Sequence, residues 1–156
     1  RVEKVCIWTP DKDLAQCVVG DRVVQIDRRK NEIRDADAIR AKFGVAPEFI
    51  ADYLALVGDA ADGYPGIAGL GAKTAAKLIN QHGHIEKFPA EILKRENRQR
   101  ALLFKELATL RTDAPLFKNV DELRWRGPTP SFAAVATKIG DARLATRVRE
   151  LQNRAR

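Results

Sequence analysis

The sequence predicts a helix-dominated chain with an α/β remnant at its start: residues 1–34 read as the end of a parallel-sheet domain and residues 35–156 as a mainly α-helical domain. Three observations carry this reading. A continuous apolar run, Val5-Cys6-Ile7-Trp8-Thr9, stops at Pro10, as expected of a strand buried on both faces. Strand signals end by Ile26. From Asp35 onward, apolar residues recur at helical spacing between capping residues, glycines and prolines.

The first strand needs neighbours, and the chain offers few. Cys17 to Val19 and Arg22 to Ile26 suit a hairpin around Gly20-Asp21, and nothing later reads as a sheet. The missing strands are expected from a second chain or from sequence preceding Arg1, and a larger α/β domain cut mid-sheet is the favoured reading. Asp35 fits a helix N-cap, Ile39 and Phe43 share a face, and Gly44 fits the position just past the helix end. Pro47 suits the first turn of the next helix, where Phe49, Ile50, Tyr53, Leu54 and Val57 form an apolar stripe from Phe49 to Leu56 and beyond, ended by Gly58. The run Asp59 to Gly66 holds Gly63, Pro65 and Gly66 and must be a loop. A helix then starts near Ala72, with Ala75, Leu78 and Ile79 facing inward and Gly83 closing it. Further helices are expected from about Ala90 to Leu110 and from Ser131 to Leu151, separated by a proline-bearing segment from Asp113 to Pro130.

Composition limits the function. The 156 residues suffice for one ordinary domain, or for a small domain plus part of another, and 45% of them are hydrophobic. Twenty-eight Lys plus Arg against 21 Asp plus Glu give a formal charge of +7, which favours polyanionic partners. The basic residues gather late, at Lys94, Arg95, Arg98, Arg100, Lys105 and Arg111, and again at Arg143, Arg147, Arg149, Arg154 and Arg156; such runs usually form solvated helix faces. The two cysteines, Cys6 and Cys17, lack metal-ligand spacing and are expected to be buried, reduced thiols. With no long apolar stretch, neither a membrane span nor a signal peptide is expected, and a cytoplasmic location follows.

Two features carry chemistry. In the glycine hairpin Pro65 to Ile79, Gly69 and Gly71 permit a tight turn while Ile67 and Leu70 anchor it. The amides of Gly71, Ala72 and Lys73 then open a helix whose free N–H groups attract an anion, with Thr74, Lys73 and Lys77 adding a hydroxyl and charge. Such contacts grip a nucleic-acid backbone without reading sequence. The bland alternative is a helix–helix turn that binds nothing. The second feature is acidic. Asp11 and Asp13 follow the carboxyl end of the first strand, where α/β sheets place ligands, and Asp59 and Asp62 leave the end of a helix, a poor place for carboxylates without a cation. Four such groups suit Mg²⁺ or Mn²⁺, and two ions about 4 Å apart would activate water against a phosphodiester. Ordinary turn and capping aspartates fit the spacing equally well. Lys12 suits either a phosphate contact or a charge partner. His82 and His84 are expected to be solvated at a helix end, and Trp8 and Trp125 to be packing residues.

Three segments in this order, Thr9-Pro-Asp-Lys-Asp-Leu-Ala-Gln16, Val57 to Ile79 and Ala101 to Leu116, resemble successive motifs of the 5′-nuclease family: the 5′-3′ exonuclease domain of bacterial DNA polymerase I, free-standing 5′-3′ exonucleases and flap endonucleases. The similarity runs from roughly Val5 to Trp125. It implies the end of a PIN-like sheet domain followed by a helix-three-turn-helix (helix-hairpin-helix) domain that holds double-stranded DNA bearing a 5′ flap or 5′ end. Asp11, Asp13, Asp59 and Asp62 become catalytic metal carboxylates in a two-metal hydrolysis. Gly66 to Lys77, through Gly69, Gly71, Ala72, Lys73, Thr74 and Lys77, becomes the DNA-binding element, and the carbonyls of Ile67 and Leu70 become candidate donors to K⁺. The sequence departs from the family pattern at Ala61 and Gly63, where a small hydroxyl residue and Asn are usual. The family's other metal carboxylates and its helical arch would precede Arg1, so this chain alone is expected to cleave weakly or not at all. The alternative is a non-catalytic helix-hairpin-helix module that binds DNA backbone.

Overall fold

The computed structural model describes residues 2–154, apart from the side chain of Ala142. Two compact units follow one another along the chain, Arg1–Thr112 and Asp113–Arg156.

In the first unit a three-stranded sheet has the order β1-β2-β3, with β1 at Val5–Ile7, β2 at Val23–Asp27 and β3 at Glu32–Arg34. β1 runs parallel to β2, with Val5 opposite Val23, and β2 runs antiparallel to β3, with Ile26 opposite Ile33. Between β1 and β2 the chain makes a 3-10 turn at Asp13–Cys17 and then the expected reversal, with Gly20 at φ 52° and an antiparallel bridge between Val19 and Val23. β1 departs from expectation. Among the described residues it pairs only with β2, so Cys6 is exposed rather than buried, Cys17 is half-buried, and Trp8 lies 63% exposed rather than packed. β3 was not legible: Glu32 and Arg34 flank the exposed Ile33, leaving no apolar alternation to detect. Its stability comes from Arg34, which is buried and pairs with Asp27 at 3.1 Å and Glu32 at 2.7 Å.

Four helices complete this unit. α1, Ala36–Phe43, is capped as expected: Ala38 N–H donates to Asp35 Oδ1 at 2.9 Å, and Gly44 adopts the left-handed conformation at its end. Pro47 opens a 3-10 turn that leads into α2, Ile50–Val57. α2 is not striped. Every residue from Ile50 to Leu56 is buried, including Asp52, so this helix is the centre around which the rest packs. α3, Ala72–His82, buries Ala75 and Ile79 and ends at Gly83 as the spacing implies. α4 spans Arg95–Ala108, starting later than expected because Glu91 to Leu93 turn back on Pro89. Gln16 ties its end to the strand region, donating to the Ala108 carbonyl at 2.9 Å and accepting from the Leu110 amide at 3.0 Å.

The second unit holds a 3-10 turn at Val120–Leu123 and two helices, α5 at Phe132–Lys138 and α6 at Ala142–Arg154. One helix was expected from Ser131 to Leu151. Gly140, at φ 78°, breaks it, and Asp141 restarts the chain by accepting from the Leu144 amide at 3.0 Å. Trp125 is half exposed here. Arg143, Arg147, Arg149 and Arg154 lie exposed on α6, whereas Arg156 lies outside the described residues. No helix among the described residues is long and apolar enough to cross a membrane.

Candidate functional site

The acidic loop is held shut by glycines. Gly58 ends α2 at φ 92° and Gly66 closes the loop at φ 71°; a Cβ on Gly66 would lie 2.5 Å from the Gly58 nitrogen and 2.6 Å from the Leu56 oxygen. No side chain fits between these backbones. Asp59 and Tyr64 exchange backbone hydrogen bonds of 2.9 and 3.1 Å across the loop, and the Ile67 amide donates to the Leu56 carbonyl at 2.8 Å. Asp59 and Asp62 are thereby fixed beside the turn that carries Asp13.

Asp13, Asp59 and Asp62 offer carboxylate oxygens that all lie within 4.8 Å of one another. Asp11 stands at the exposed rim, its Oδ1 accepting from the Asp13 amide at 3.4 Å. The two inner carboxylates are pushed apart electrostatically. Asp59 is buried, but Lys12 Nζ at 2.7 Å and the amides of Ala61 and Asp62 outweigh the cost of burial and hold its pKa below the ordinary value. Asp13 has no such cation. Its partial burial, then the negative charges of Asp62, Asp11 and Asp59, push its pKa up from 3.8 to about 6. Its Oδ1 is buried with no hydrogen-bond partner. A cluster of hard oxygen donors with one carboxylate short of positive charge suits a divalent cation. Lys12 takes the role of charge partner, one of the two open for it.

Downstream, Ile67 to Leu70 form a tight turn, with Gly69 at φ 83° and the Leu70 amide donating to the Ile67 carbonyl at 3.0 Å. That leaves one lone pair of the Ile67 carbonyl for another ligand. Ile67 is buried and Leu70 half-buried, so the turn is anchored as its apolar residues imply. Gly71 caps α3 through backbone alone, with no acidic residue in the first turn, and Gly69, Gly71, Ala72, Lys73, Thr74 and Lys77 are all exposed. The start of α3 therefore presents free amides and positive charge to solvent.

Residues outside these motifs also matter. Buried Asp52 accepts from the Ile85 amide at 2.9 Å and pairs with His84 at 2.9 Å and Lys105 at 2.8 Å; Lys105 also bridges to Glu86 at 2.8 Å. His84 stays partly solvated, as expected at a helix end, but bonds the buried Asp52, and Lys105 is structural rather than part of a solvated basic face. A single Asp in an apolar helix was the one sequence signal for this knot. Arg98 likewise donates to the carbonyls of Ile85, Glu86 and Phe88.

Residues 45–131 match the family model described as the 5′-3′ exonuclease C-terminal SAM fold. The chain is 37% identical over 139 residues to DNA polymerase I of Bacillus caldotenax, covering 80% of this chain and 16% of the polymerase. It is 37% identical over 132 residues to a 5′-3′ exonuclease of Aquifex aeolicus, covering 80% of this chain and 45% of that protein. With the flap endonuclease Xni of Yersinia enterocolitica it shares 34% identity over 131 residues, covering 78% of this chain and 51% of that protein. The chain thus spans about half, or much less, of these relatives. In fold it resembles the bacteriophage T5 5′-exonuclease solved with zinc, at TM-score 0.53 and 20% identity over 68% of this chain and 40% of that one. The bacteriophage T5 flap endonuclease solved with DNA and metal ions matches at TM-score 0.53 and 19% identity, with the same coverage. With more than half of its residues matched by the family model, the chain belongs to the 5′-3′ exonuclease family.

Proposed function

We propose that this chain is part of a divalent-metal-dependent, structure-specific 5′ nuclease that hydrolyses DNA phosphodiesters near a 5′ end or flap. The observation that carries the reading is the convergence of Asp13, Asp59 and Asp62 within 4.8 Å. Asp13, Asp59 and Asp62, with Asp11 at the rim, would hold Mg²⁺ or Mn²⁺, which when bound lowers the pKa of water and stabilises the leaving oxygen. Asp59 is kept ionised by Lys12, and a bound cation would offset the neighbouring negative charge that raises the Asp13 pKa. The glycine hairpin holds the duplex: the amides at Gly71, Ala72 and Lys73 and the Thr74 hydroxyl donate to phosphate oxygens, and Lys73 and Lys77 add charge. The Ile67 and Leu70 carbonyls are the donors proposed for K⁺ at the same phosphate. Relatives named DNA polymerase I, 5′-3′ exonuclease and flap endonuclease support a role in DNA replication and repair for the whole protein. So does the T5 enzyme's capture with DNA and metal ions.

One observation favours a second reading. Lys12 already neutralises Asp59 at 2.7 Å, so the acidic residues would be structural and the chain a module that only grips DNA backbone. A 5′-flap duplex incubated with Mg²⁺ or Mn²⁺ and either the wild-type chain or Asp59→Asn separates the two. The nuclease reading expects the chain to bind Mn²⁺ and to cleave weakly or not at all, with both the binding and any cleavage abolished by Asp59→Asn. Equal cleavage by both proteins removes Asp59 from the metal role, and duplex binding with neither cleavage nor Mn²⁺ binding favours the module.

A further inference from the structure

β1 and β2 run parallel, with Ile7 opposite Gln25, so the residues that follow both strands leave the sheet at the same carboxyl end. From β1 come Trp8 and then Asp11 and Asp13; from β2 comes the turn Arg28-Arg29-Lys30-Asn31 that leads into β3. The Gln25 side chain donates to the Asp11 carbonyl and ties the two paths together. Three Cα–Cα steps separate Trp8 from Asp11, at most about 11 Å. The carboxyl end of parallel strands is where such sheets place ligands.

Both parts stand ready in solvent. The Arg28 guanidinium carbon lies 5.8 Å from the centre of the Trp8 ring, within cation–π range, yet Trp8 stays 63% exposed. The turn is pinned from below. Arg29 and Lys30 donate their amides to Asp27 Oδ1 at 3.1 and 3.3 Å, Arg34 holds the other oxygen of that carboxylate at 3.1 Å, and Asn31 takes φ 51°. Arg28, Arg29 and Lys30 are all exposed, and none of them forms an ion pair among the described residues. Packing accounts for neither the ring nor the cations. An aromatic face beside an arginine, with further positive charge next to it, matches a base and its adjoining phosphates. In a duplex the base faces are stacked on one another, so the matching ligand is a single strand.

We propose that Trp8 and the Arg28–Lys30 turn bind unpaired DNA beside the acidic site, with a base stacked on the Trp8 ring next to Arg28 and the adjoining phosphates on Arg29 and Lys30. The proposal rests on the DNA reading above and adds to the duplex contacts of α3 a separate contact for a single strand.

Fluorescence anisotropy with labelled oligothymidylate and, separately, with a blunt duplex tests it on the wild-type chain, Trp8→Ala, Trp8→Phe and the double variant Arg29→Ala with Lys30→Ala. Trp8→Ala should weaken oligothymidylate binding by about five-fold or more while leaving duplex affinity within about two-fold, and Trp8→Phe should recover part of the loss. The double variant should flatten the slope of log affinity against log salt for oligothymidylate by about 1.4. Equal oligothymidylate affinity in wild type and Trp8→Ala, or a wild type that binds the duplex alone, overturns the site and leaves the DNA reading intact. Equal losses in Trp8→Ala and Trp8→Phe rule out stacking, and parallel losses for both probes in Trp8→Ala make the residue structural; either result also overturns the site. A wild type that binds neither probe removes the DNA reading with it.

Discussion

Asp13→Asn should make the metal-free protein more stable, by an amount that grows as pH rises from 3.8 to about 6 and then holds. Burial and three neighbouring carboxylates raise the Asp13 pKa from 3.8 to about 6, so the folded state holds its proton more tightly than the unfolded chain does. A raised carboxyl pKa means that folding stability is lost as pH rises from 3.8 to about 6; below 3.8 both states are protonated and no penalty remains. At 1.36 kcal/mol per pKa unit the rise corresponds to about 3 kcal/mol. Asp13 is partly open to solvent, and screening reduces this to about 1–2 kcal/mol. Asn keeps the shape and removes the charge, so at about pH 8 it should recover that amount, roughly 3–8 °C in melting temperature. Thermal melts in EDTA from about pH 4 to pH 8 measure it. The gap between variant and wild type should open through pH 4–6 and vanish at the acid end. A gap independent of pH, or a wild type more stable than Asp13→Asn at pH 8, would refute the electrostatic account of this site.

Other consequences concern the supports around it. Asp52→Ala strands the Ile85 amide and leaves Lys105 only the exposed Glu86 as partner; breaking a buried pair of this kind should cost about 3 kcal/mol in denaturant melts, and Lys105→Met should relieve part of the loss. Gly66→Ala drives a Cβ to 2.5 Å from the Gly58 nitrogen at a positive φ, so it should open the acidic loop and abolish Mn²⁺ binding, as relaxation titration would show. Lys73→Ala with Lys77→Ala should weaken duplex binding alike for all sequences and reduce the slope of log affinity against log salt by about 2 in fluorescence anisotropy.

The legible parts of the fold were those in which local chemistry decides. Asp35, Gly44, Gly58 and Gly83 terminate helices where their side chains or positive φ demand it. Elements that depend on distant partners were hidden. β3 is held by the Arg34 pairs rather than by apolar alternation. β1 reads as a core strand, yet Cys6 is exposed and Val5 and Ile7 are only half-buried. In the site, the aspartates and the hairpin stand out by residue type and spacing, but two connections do not. Nothing in one sequence says that Lys12 reaches Asp59 or that Asp52 gathers His84 and Lys105.

The central claim is that Asp13, Asp59 and Asp62 form the cation site. A rival set, Asp52, His84 and Glu86, also lies within 4.8 Å, but the Lys105 ammonium already bonds both of its carboxylates. Paramagnetic broadening distinguishes them directly. Substoichiometric Mn²⁺ added to ¹⁵N-labelled protein should first erase the amide resonances of Asp13, Ala61, Asp62 and Tyr64 while those of Asp52, His84 and Glu86 persist. Broadening that begins at Asp52, His84 and Glu86, or that spares the Asp59–Tyr64 loop, would contradict the account.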